Sequence, residues 1–184
     1  MSSLRRICLV GVRGVGKSTL VRAVAPGLPT IDHVVGSAVL RELAGPELAR
    51  FDHLPPEVKH DYRVSAIAWM TRRQSERGQH ILCDGHTSLL DESTGLVGPV
   101  FTEADCRFFR ELVLMDATVE IVLARRQGDP SKGRSKAPSV IAEELVGERT
   151  TSERIAREWG MVLHRLPVGD DRRIQDAFRE ILEG

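Results

Sequence analysis

The segment GVRGVGKS at residues 11–18 is the strongest indication of the fold of this chain. It matches the pattern G-x-x-x-x-G-K-[ST], follows the apolar run at residues 7–10 and precedes residues 18–25, which have a helical pattern. In that setting the pattern is typical of a phosphate-binding loop between a buried strand and a helix. Glycines let the backbone point its N–H groups at a phosphate, and the helix N-terminus adds a favourable partial charge.

The loop predicts a nucleotide site with individual roles for its residues. We expect Lys17 to contact the β- and γ-phosphates and the Ser18 hydroxyl to bind Mg²⁺. The alternative, a glycine-rich turn that matches by chance, is disfavoured because both flanks fit the motif. The chain is therefore expected to use ATP, or a similar nucleotide, together with Mg²⁺. The predicted nucleotide-binding residues are Gly11, Gly14, Val15, Gly16, Lys17, Ser18 and Thr19.

The composition narrows the class of protein. The chain has 184 residues, 41% of them apolar and 28% charged, and a formal net charge of zero. These values predict one globular domain and make a nucleic-acid-binding role improbable. The three cysteines form no CxxC pair, which favours a reducing compartment and no zinc site. No apolar run approaches the ~20 residues that span a membrane, and no signal peptide is recognisable, so we expect a cytoplasmic protein.

Alternating apolar and helical segments predict an α/β protein. Such alternation is typical of a parallel sheet with helices on both faces. We expect a three-layer P-loop NTPase fold with five parallel strands, in a single domain over residues 1–184. Within it, residues 36–65 should form a helical acceptor-binding region, residues 127–138 a lid, and residues 87–102 a long loop. The predicted strands cover residues 7–10, 30–35, 80–83, 112–115 and 161–166.

Several kinds of P-loop protein are disfavoured by what the chain lacks. It has no asparagine and four lysines, and it contains no N/TKxD motif of the kind with which GTPases bind the base. A motor or an AAA-type ATPase would need a longer chain and an arginine from a neighbouring subunit. The small size and the basic segment at residues 127–138 instead favour a kinase for a small acceptor molecule.

Two residues at the end of the third strand are candidates for the reacting centre. Asp84 could hold Mg²⁺ through water or hydrogen-bond an acceptor group. The alternative is an Asp-Gly pair that only forms a turn. His86 follows two residues later and could contact an acceptor phosphate, although an ordinary loop histidine is also compatible with the pattern.

Four arginines are predicted to stabilise charge on the transferred group. Arg125 and Arg126 end a helix at the root of the lid, Arg134 lies within the lid, and Arg149 lies on the helix that follows. Such a lid closes over the phosphates and excludes water. The alternatives are helix-end arginines favoured by the helix dipole and, for Arg134 and Arg149 as for Lys132 and Lys136, solvated surface charges.

The order of these motifs resembles the archaeal-type adenylate kinases and related small nucleotide kinases. It runs from the phosphate loop through Gly36-Ser37, Leu54-Pro55 and the segment ILCDGH at residues 81–86 to Arg125-Arg126. The resemblance implies transfer of a phosphoryl group from Mg·ATP to a nucleoside monophosphate. It also implies an acceptor pocket and a set of phosphate-contacting arginines. These are Gly36, Ser37 and Arg41, with Asp84 and His86, for the pocket, and Arg125, Arg126, Arg134 and Arg149 for the phosphates.

The chain departs from that family at the acceptor side, which leaves other functions open. The family is more basic where this chain has Asp52, and it favours arginine where this chain has Lys132 and Lys136. One alternative is a P-loop kinase for a shikimate- or gluconate-like alcohol, with Asp32 as the acceptor-side carboxylate. Another is an ATP-binding switch that acts in assembly with slow hydrolysis. In the kinase interpretations the partner is a small-molecule acceptor. Self-association remains possible but cannot be inferred from this sequence.

Overall fold

The structure, a computed structural model, describes residues 3–46, 51, 54–91, 94–129 and 133–184. The strands are β1 (Arg6–Val10), β2 (Ile31–Val35), β3 (His80–Asp84), β4 (Ser88–Asp91), β5 (Leu96–Pro99), β6 (Glu111–Asp116) and β7 (Val162–Pro167). The helices are α1 (Lys17–Val24), α2 (Gly36–Ala44), α3 (Pro56–Arg77), α4 (Glu103–Phe108), α5 (Val119–Gly128), α6 (Pro138–Trp159) and α7 (Asp171–Glu183), with a 3₁₀ turn at Ala25–Gly27.

The central sheet has five strands in the order β2-β3-β1-β6-β7, and every neighbouring pair is parallel. Side chains alternate between its two faces, so Ile7 and Leu9 of β1 pack in one hydrophobic cluster and Cys8 and Val10 in the other. Both clusters are covered by helices, which is why the strands read as continuous apolar runs. The predicted three-layer α/β fold is confirmed.

The long loop predicted for residues 87–102 is wrong. β4 and β5 pair there as an antiparallel ribbon, with Ser88 opposite Pro99 and Asp91 opposite Leu96. The ribbon packs on α6, where a Cβ added to Gly147 would lie 2.5 Å from Cγ1 of Val97. Because both strands are four residues long and β5 contains glycine and proline, their sequence resembles a loop, and contact with α6 supplies the order that local preferences do not.

The predicted acceptor-binding region, residues 36–65, and the predicted lid, residues 127–138, both contain helical residues. α2 begins at Gly36, directly after β2, and α3 begins at Pro56. Residues 47–50 and 52–53, including Asp52, lie outside the described residues. In the predicted lid, α5 continues to Gly128 and α6 begins at Pro138, whereas residues 130–132, including Lys132, lie outside the described part.

No helix within the described ranges combines the length and the apolar composition that crossing a membrane requires.

Candidate functional site

A cleft of about 1650 Å³ opens at the carboxyl ends of the sheet strands. This is the edge at which ligands bind in open α/β sheets. One side of the cleft is the phosphate loop, residues 11–18, and the other side is formed by α2, α3 and the β4–β5 ribbon. The cleft brings together most of the predicted donor and acceptor residues. These are Gly14, Gly16, Lys17, Ser18, Thr19, Gly36, Ser37, Arg41, Asp84, His86, Arg125 and Arg134.

The phosphate loop adopts a backbone conformation that favours glycine. Gly11, Gly14 and Gly16 have φ angles of 150°, 89° and 104°. The guanidinium of Arg125 lies so close to Gly16 that an added Cβ would collide with it. A side chain at Gly16 would therefore be strained by its φ angle and would also displace Arg125, so this position tolerates glycine alone.

Lys17 is buried at the first turn of α1, with its ammonium inside the loop. Its Nζ donates a 2.5 Å hydrogen bond to the carbonyl of Gly11 and a 3.4 Å hydrogen bond to that of Val12. Burial lowers the pKa of Lys17, and the nearby carboxylates of Asp84 and Glu148 act in the opposite direction. The ammonium is thus held where the bound phosphates of a nucleotide are expected to lie.

Ser18 and Asp84 meet beside Lys17. The Ser18 hydroxyl donates a 2.9 Å hydrogen bond to Oδ2 of Asp84. Two hard oxygen donors side by side at a helix N-terminus fit Mg²⁺, which keeps several water or phosphate ligands of its own. The described residues contain no group of three His, Cys, Asp or Glu side chains that could hold a metal.

Three of the four predicted arginines lie at the phosphate loop, and two of them, Arg125 and Arg134, also line the cleft. Arg125 donates from Nη1 to the carbonyl of Val15, and its Nη2 lies 3.6 Å from Oδ1 of the exposed Asp171. Arg134 lies near Gly14, since a Cβ added there would be 3.3 Å from Nη1 of Arg134. Desolvation lowers the pKa of Arg134, and the neighbouring Arg126 and Arg13 add to the effect. A bound anion would reduce the repulsion among these positive charges.

Arg126 is placed differently from our prediction. It is 2% exposed, and it donates to the carbonyl of Arg13 from both Nε and Nη2, at 3.1 and 2.8 Å. It also donates to the carbonyl of Ser135 at 2.8 Å and lies 2.8 Å from a carboxylate oxygen of Glu144. Because these contacts occupy the guanidinium, Arg126 ties the phosphate loop to the lid and to α6 instead of contacting phosphate.

Arg149 and Asp32 also lie away from the predicted positions. Arg149 donates a 2.6 Å hydrogen bond to Oδ1 of Asp116, and Asp32 accepts two hydrogen bonds from Arg73, at 2.6 and 2.9 Å. Neither lines the cleft, in contrast to the described acceptor residues. The prediction that Arg149 meets the phosphates is therefore not supported, nor is an acceptor role for Asp32.

His86 lies in the cleft next to the phosphate loop. Its Nδ1 is buried and has no hydrogen-bond partner among the described residues. Burial, together with the positive charges of Lys17 and Arg13, holds the pKa of His86 well below its usual value. The imidazole is thus neutral at neutral pH and adds no charge to the cationic side of the cleft.

The acceptor side has residues that the sequence analysis missed. Lys59 and Arg63 of α3 face the cleft together with Arg41 of α2, which was predicted. The spacing of four between Lys59 and Arg63 places both on one face of the helix, and that was the available signal. Asp105 also lines the cleft; burial raises its pKa. Apolar side chains complete this side, namely Leu40, Met70, Phe101 and Phe109.

A buried carboxylate on α6 was also missed. Glu148 is 2% exposed and accepts hydrogen bonds from the backbone of Gly11, Thr87 and Ser88. It lies in the middle of α6, which carries several other glutamates, one of which, Glu144, is also buried. Nothing in the sequence distinguished it, because its partners are backbone groups that only the fold brings together.

Comparisons with known proteins place this geometry in a family. The family described as "AAA domain" matches residues 10–144, which is more than half of the chain. No curated protein matches the sequence. The sequence disfavoured an AAA-type ATPase because of the chain length and the need for an arginine from a neighbouring subunit, yet a chain of this length matches the family over residues 10–144.

Solved structures share the fold at low sequence identity. A shikimate kinase from Bacteroides thetaiotaomicron is 14% identical with a TM-score of 0.57, over 99% of this chain and 100% of that chain. A shikimate kinase from Acinetobacter baumannii in complex with shikimate is 16% identical with a TM-score of 0.61, over 98% and 94%. A sugar kinase from Janibacter sp. HTCC2649 is 14% identical with a TM-score of 0.61, over 98% and 95%. The chain therefore has a P-loop kinase-like fold.

Proposed function

We propose that this chain, which belongs to the AAA domain family, is an ATP-dependent phosphotransferase that phosphorylates a small anionic acceptor. The observation that carries the proposal is the single cleft that joins the phosphate loop to Arg41, Asp84 and His86. A protein that only stored or sensed ATP would have no need of a second, polar chamber continuous with the position of the γ-phosphate. A kinase needs one, because both reactants must be held in line.

On the donor side, the protein's work is positioning and charge stabilisation. The glycine backbone cradles the phosphates, and Lys17 presents a buried ammonium to them. Ser18 and Asp84 would hold Mg²⁺, which neutralises charge that develops on the phosphoryl oxygens. Thr19 follows on the same first turn of α1 and lines the cleft.

Arg125 and Arg134 supply further positive charge from the other side of the loop. Both line the cleft close to the glycines of the phosphate loop. A guanidinium aimed at a phosphoryl group during transfer stabilises the charge that spreads over its oxygens. Arg126 donates a hydrogen bond to the carbonyl of Arg13 and thereby holds the phosphate loop beside these two arginines.

The first acceptor class that we infer is a nucleoside monophosphate. Arg41, Lys59 and Arg63 would hold its phosphate, since cations with several donors bind phosphate oxygens well. Phe101 lies in the same chamber and offers an aromatic surface for a base, and the buried Phe109 stacks against it with ring centroids 5.8 Å apart. The order of the sequence motifs, which resembles that of small nucleotide kinases, favours the same class of acceptor.

A second acceptor class is favoured by the structural neighbours. Three P-loop kinases of similar fold have names that refer to shikimate or to a sugar. An alcohol with a carboxylate would also be held by Arg41, Lys59 or Arg63. Because Asp32 is engaged by Arg73, the carboxylate that meets the reacting hydroxyl would be Asp84.

The experiment is a panel assay for ADP formed from Mg·ATP in the presence of individual acceptors. Nucleoside monophosphates form one arm, and shikimate, gluconate and simple sugars form the other. The product distinguishes the classes, since phosphorus NMR separates a new diphosphate from a phosphate monoester. Hydrolysis that no acceptor stimulates would favour an ATP-dependent switch instead.

A further inference from the structure

Glu148 makes four hydrogen bonds from inside the protein. Its Oε1 accepts from the backbone N–H groups of Gly11 at 2.9 Å and Thr87 at 3.0 Å. Its Oε2 accepts from the backbone N–H of Ser88 at 2.7 Å and from the Ser88 hydroxyl at 2.9 Å. A buried carboxylate is costly unless its oxygens are satisfied, and here both oxygens are used twice.

The partners of Glu148 belong to two different parts of the cleft. Gly11 is the first residue of the phosphate loop, and its carbonyl also accepts a hydrogen bond from Lys17. Thr87 and Ser88 follow directly after His86 and begin the β4–β5 ribbon, which forms a wall of the acceptor chamber. A single side chain therefore spans from the donor side to the acceptor side.

The rest of the α6 surface reinforces the same junction. Gly147 allows Val97 of the ribbon to approach the helix, as noted above. One turn later, the hydroxyl of Ser152 lies 2.9 Å from that of Thr87, and Thr87 donates to the carbonyl of Glu148 at 3.3 Å. These contacts hold the ribbon but do not reach the phosphate loop. Of the α6 contacts at this junction, Glu148 makes those that reach both sides.

We propose that Glu148 is a positioning residue that sets the distance between the phosphate loop and the acceptor wall. The proposal rests on the proposed function only in that phosphoryl transfer gives this distance a purpose. Its physical content is independent of the acceptor: the carboxylate fixes the amide of Gly11, and with it the backbone cradle that binds nucleotide phosphates. Loss of the carboxylate should loosen the cradle and the start of the ribbon together.

The test compares Glu148→Gln and Glu148→Asp with Ser152→Ala in the full chain. Ser152 is the matched control, because it is equally buried on the same helix and holds Thr87 without touching the phosphate loop. Three quantities are measured for each protein: urea unfolding, the Kd of Mg·ADP by calorimetry, and amide hydrogen exchange by NMR at Gly11, Thr87 and Ser88. ADP is the probe because its binding does not depend on any acceptor.

Glu148→Gln turns an amide donor toward the N–H groups, so charge-assisted hydrogen bonds are lost. We expect exchange at Gly11 and Ser88 to accelerate about tenfold or more relative to the amides of β1, and the Kd of Mg·ADP to rise about tenfold or more. Glu148→Asp keeps the charge but is one methylene shorter. It should restore only part of the affinity, and it carries the comparison if the glutamine variant does not fold.

Ser152→Ala should change unfolding without changing the affinity for ADP or the exchange at Gly11. The proposal is overturned if the folded Glu148 variants bind ADP as the wild type does. It is also overturned if Ser152→Ala weakens ADP binding in proportion to its loss of stability, because burial alone would then explain the effect. Since ADP binding is the readout, failure of the kinase proposal would leave this outcome unaffected.

Discussion

The Ser18 hydroxyl donates its hydrogen bond to Asp84 across 66 positions of sequence, at 2.9 Å. The pairing of Leu9 with Asp84 in the register of β1 and β3 makes this possible, because it brings the end of β3 level with the start of the phosphate loop. A hydroxyl of the loop and a carboxylate of the neighbouring strand thereby face the same point in the cleft. The predicted metal pair is thus brought into contact by the fold.

Asp84→Asn should separate binding of Mg²⁺ from binding of the nucleotide. The amide keeps the shape of the side chain but removes its charge, so an Mg²⁺ held by Ser18 and Asp84, as we propose, would lose its carboxylate ligand. We expect kcat to fall about 10²-fold or more, while ADP without Mg²⁺ binds as tightly as before. Titration calorimetry with and without Mg²⁺ checks this. An unchanged affinity for Mg·ADP together with an unchanged kcat would contradict a metal role for Asp84.

Arg126 and Arg134 should behave in opposite ways when each is replaced by methionine. Arg126→Met leaves Glu144 buried without its cation and frees the carbonyl of Arg13, so the free energy of unfolding should fall by about 3–5 kcal/mol. Arg134→Met removes a partly exposed cation that faces the phosphate loop. It should change the free energy of unfolding by less than about 0.5 kcal/mol but lower kcat about tenfold or more.

Urea unfolding and steady-state kinetics on the two variants decide between these roles. If Arg126→Met were as stable as the wild type and lacked activity, the original prediction of a phosphate contact would be restored. If Arg134→Met were fully active, the lid would have to act through other residues.

The stability of the protein in acid should depend on Glu111. The guanidinium of Arg5 hydrogen-bonds both carboxylate oxygens of Glu111, at 2.8 and 2.6 Å, and holds the pKa of that carboxyl below its usual value. Since the folded pKa is lower than the unfolded one, the pair stabilises the protein above the unfolded pKa of 4.5. That stabilisation is lost as the pH falls through the folded pKa.

Glu111→Gln should therefore be less stable than the wild type at pH 7, by about 1–2 kcal/mol, and the difference should shrink as the pH falls below 4.5. Urea titrations at several pH values measure it. A difference that stays constant as the pH is lowered from 7 would show that the charge of Glu111 is not what stabilises this contact.

The sheet and the phosphate loop could be predicted from the sequence because both depend on local patterns. Apolar runs of four to six residues indicate buried strands, and the glycines within residues 11–18 indicate the backbone conformation of the loop. The β4–β5 ribbon could not, because Ser88–Asp91 and Leu96–Pro99 have little strand preference of their own and are ordered by contact with α6.

The roles of charged residues were predictable only where a motif fixed their positions. Lys17 and Ser18 lie in the loop as expected, whereas Arg125 and Arg126 are neighbours in sequence and point to different surroundings. Asp32 is the acceptor-side carboxylate in one alternative that the sequence allows, whereas in the structure it pairs with Arg73. Such ion pairs depend on which residues of distant elements meet, and a single sequence does not contain that information.

Phosphoryl transfer to an acceptor is measured in the panel assay, with purified protein, Mg·ATP and one acceptor at a time, ADP followed continuously and products identified by phosphorus NMR. We expect ADP formation that at least one anionic acceptor stimulates, with a stoichiometric phosphorylated product, and a rate that Asp84→Asn lowers about 10²-fold or more. ATP hydrolysis that is equally fast with and without every acceptor, or an acceptor-stimulated rate that Asp84→Asn leaves unchanged, would overturn the kinase proposal.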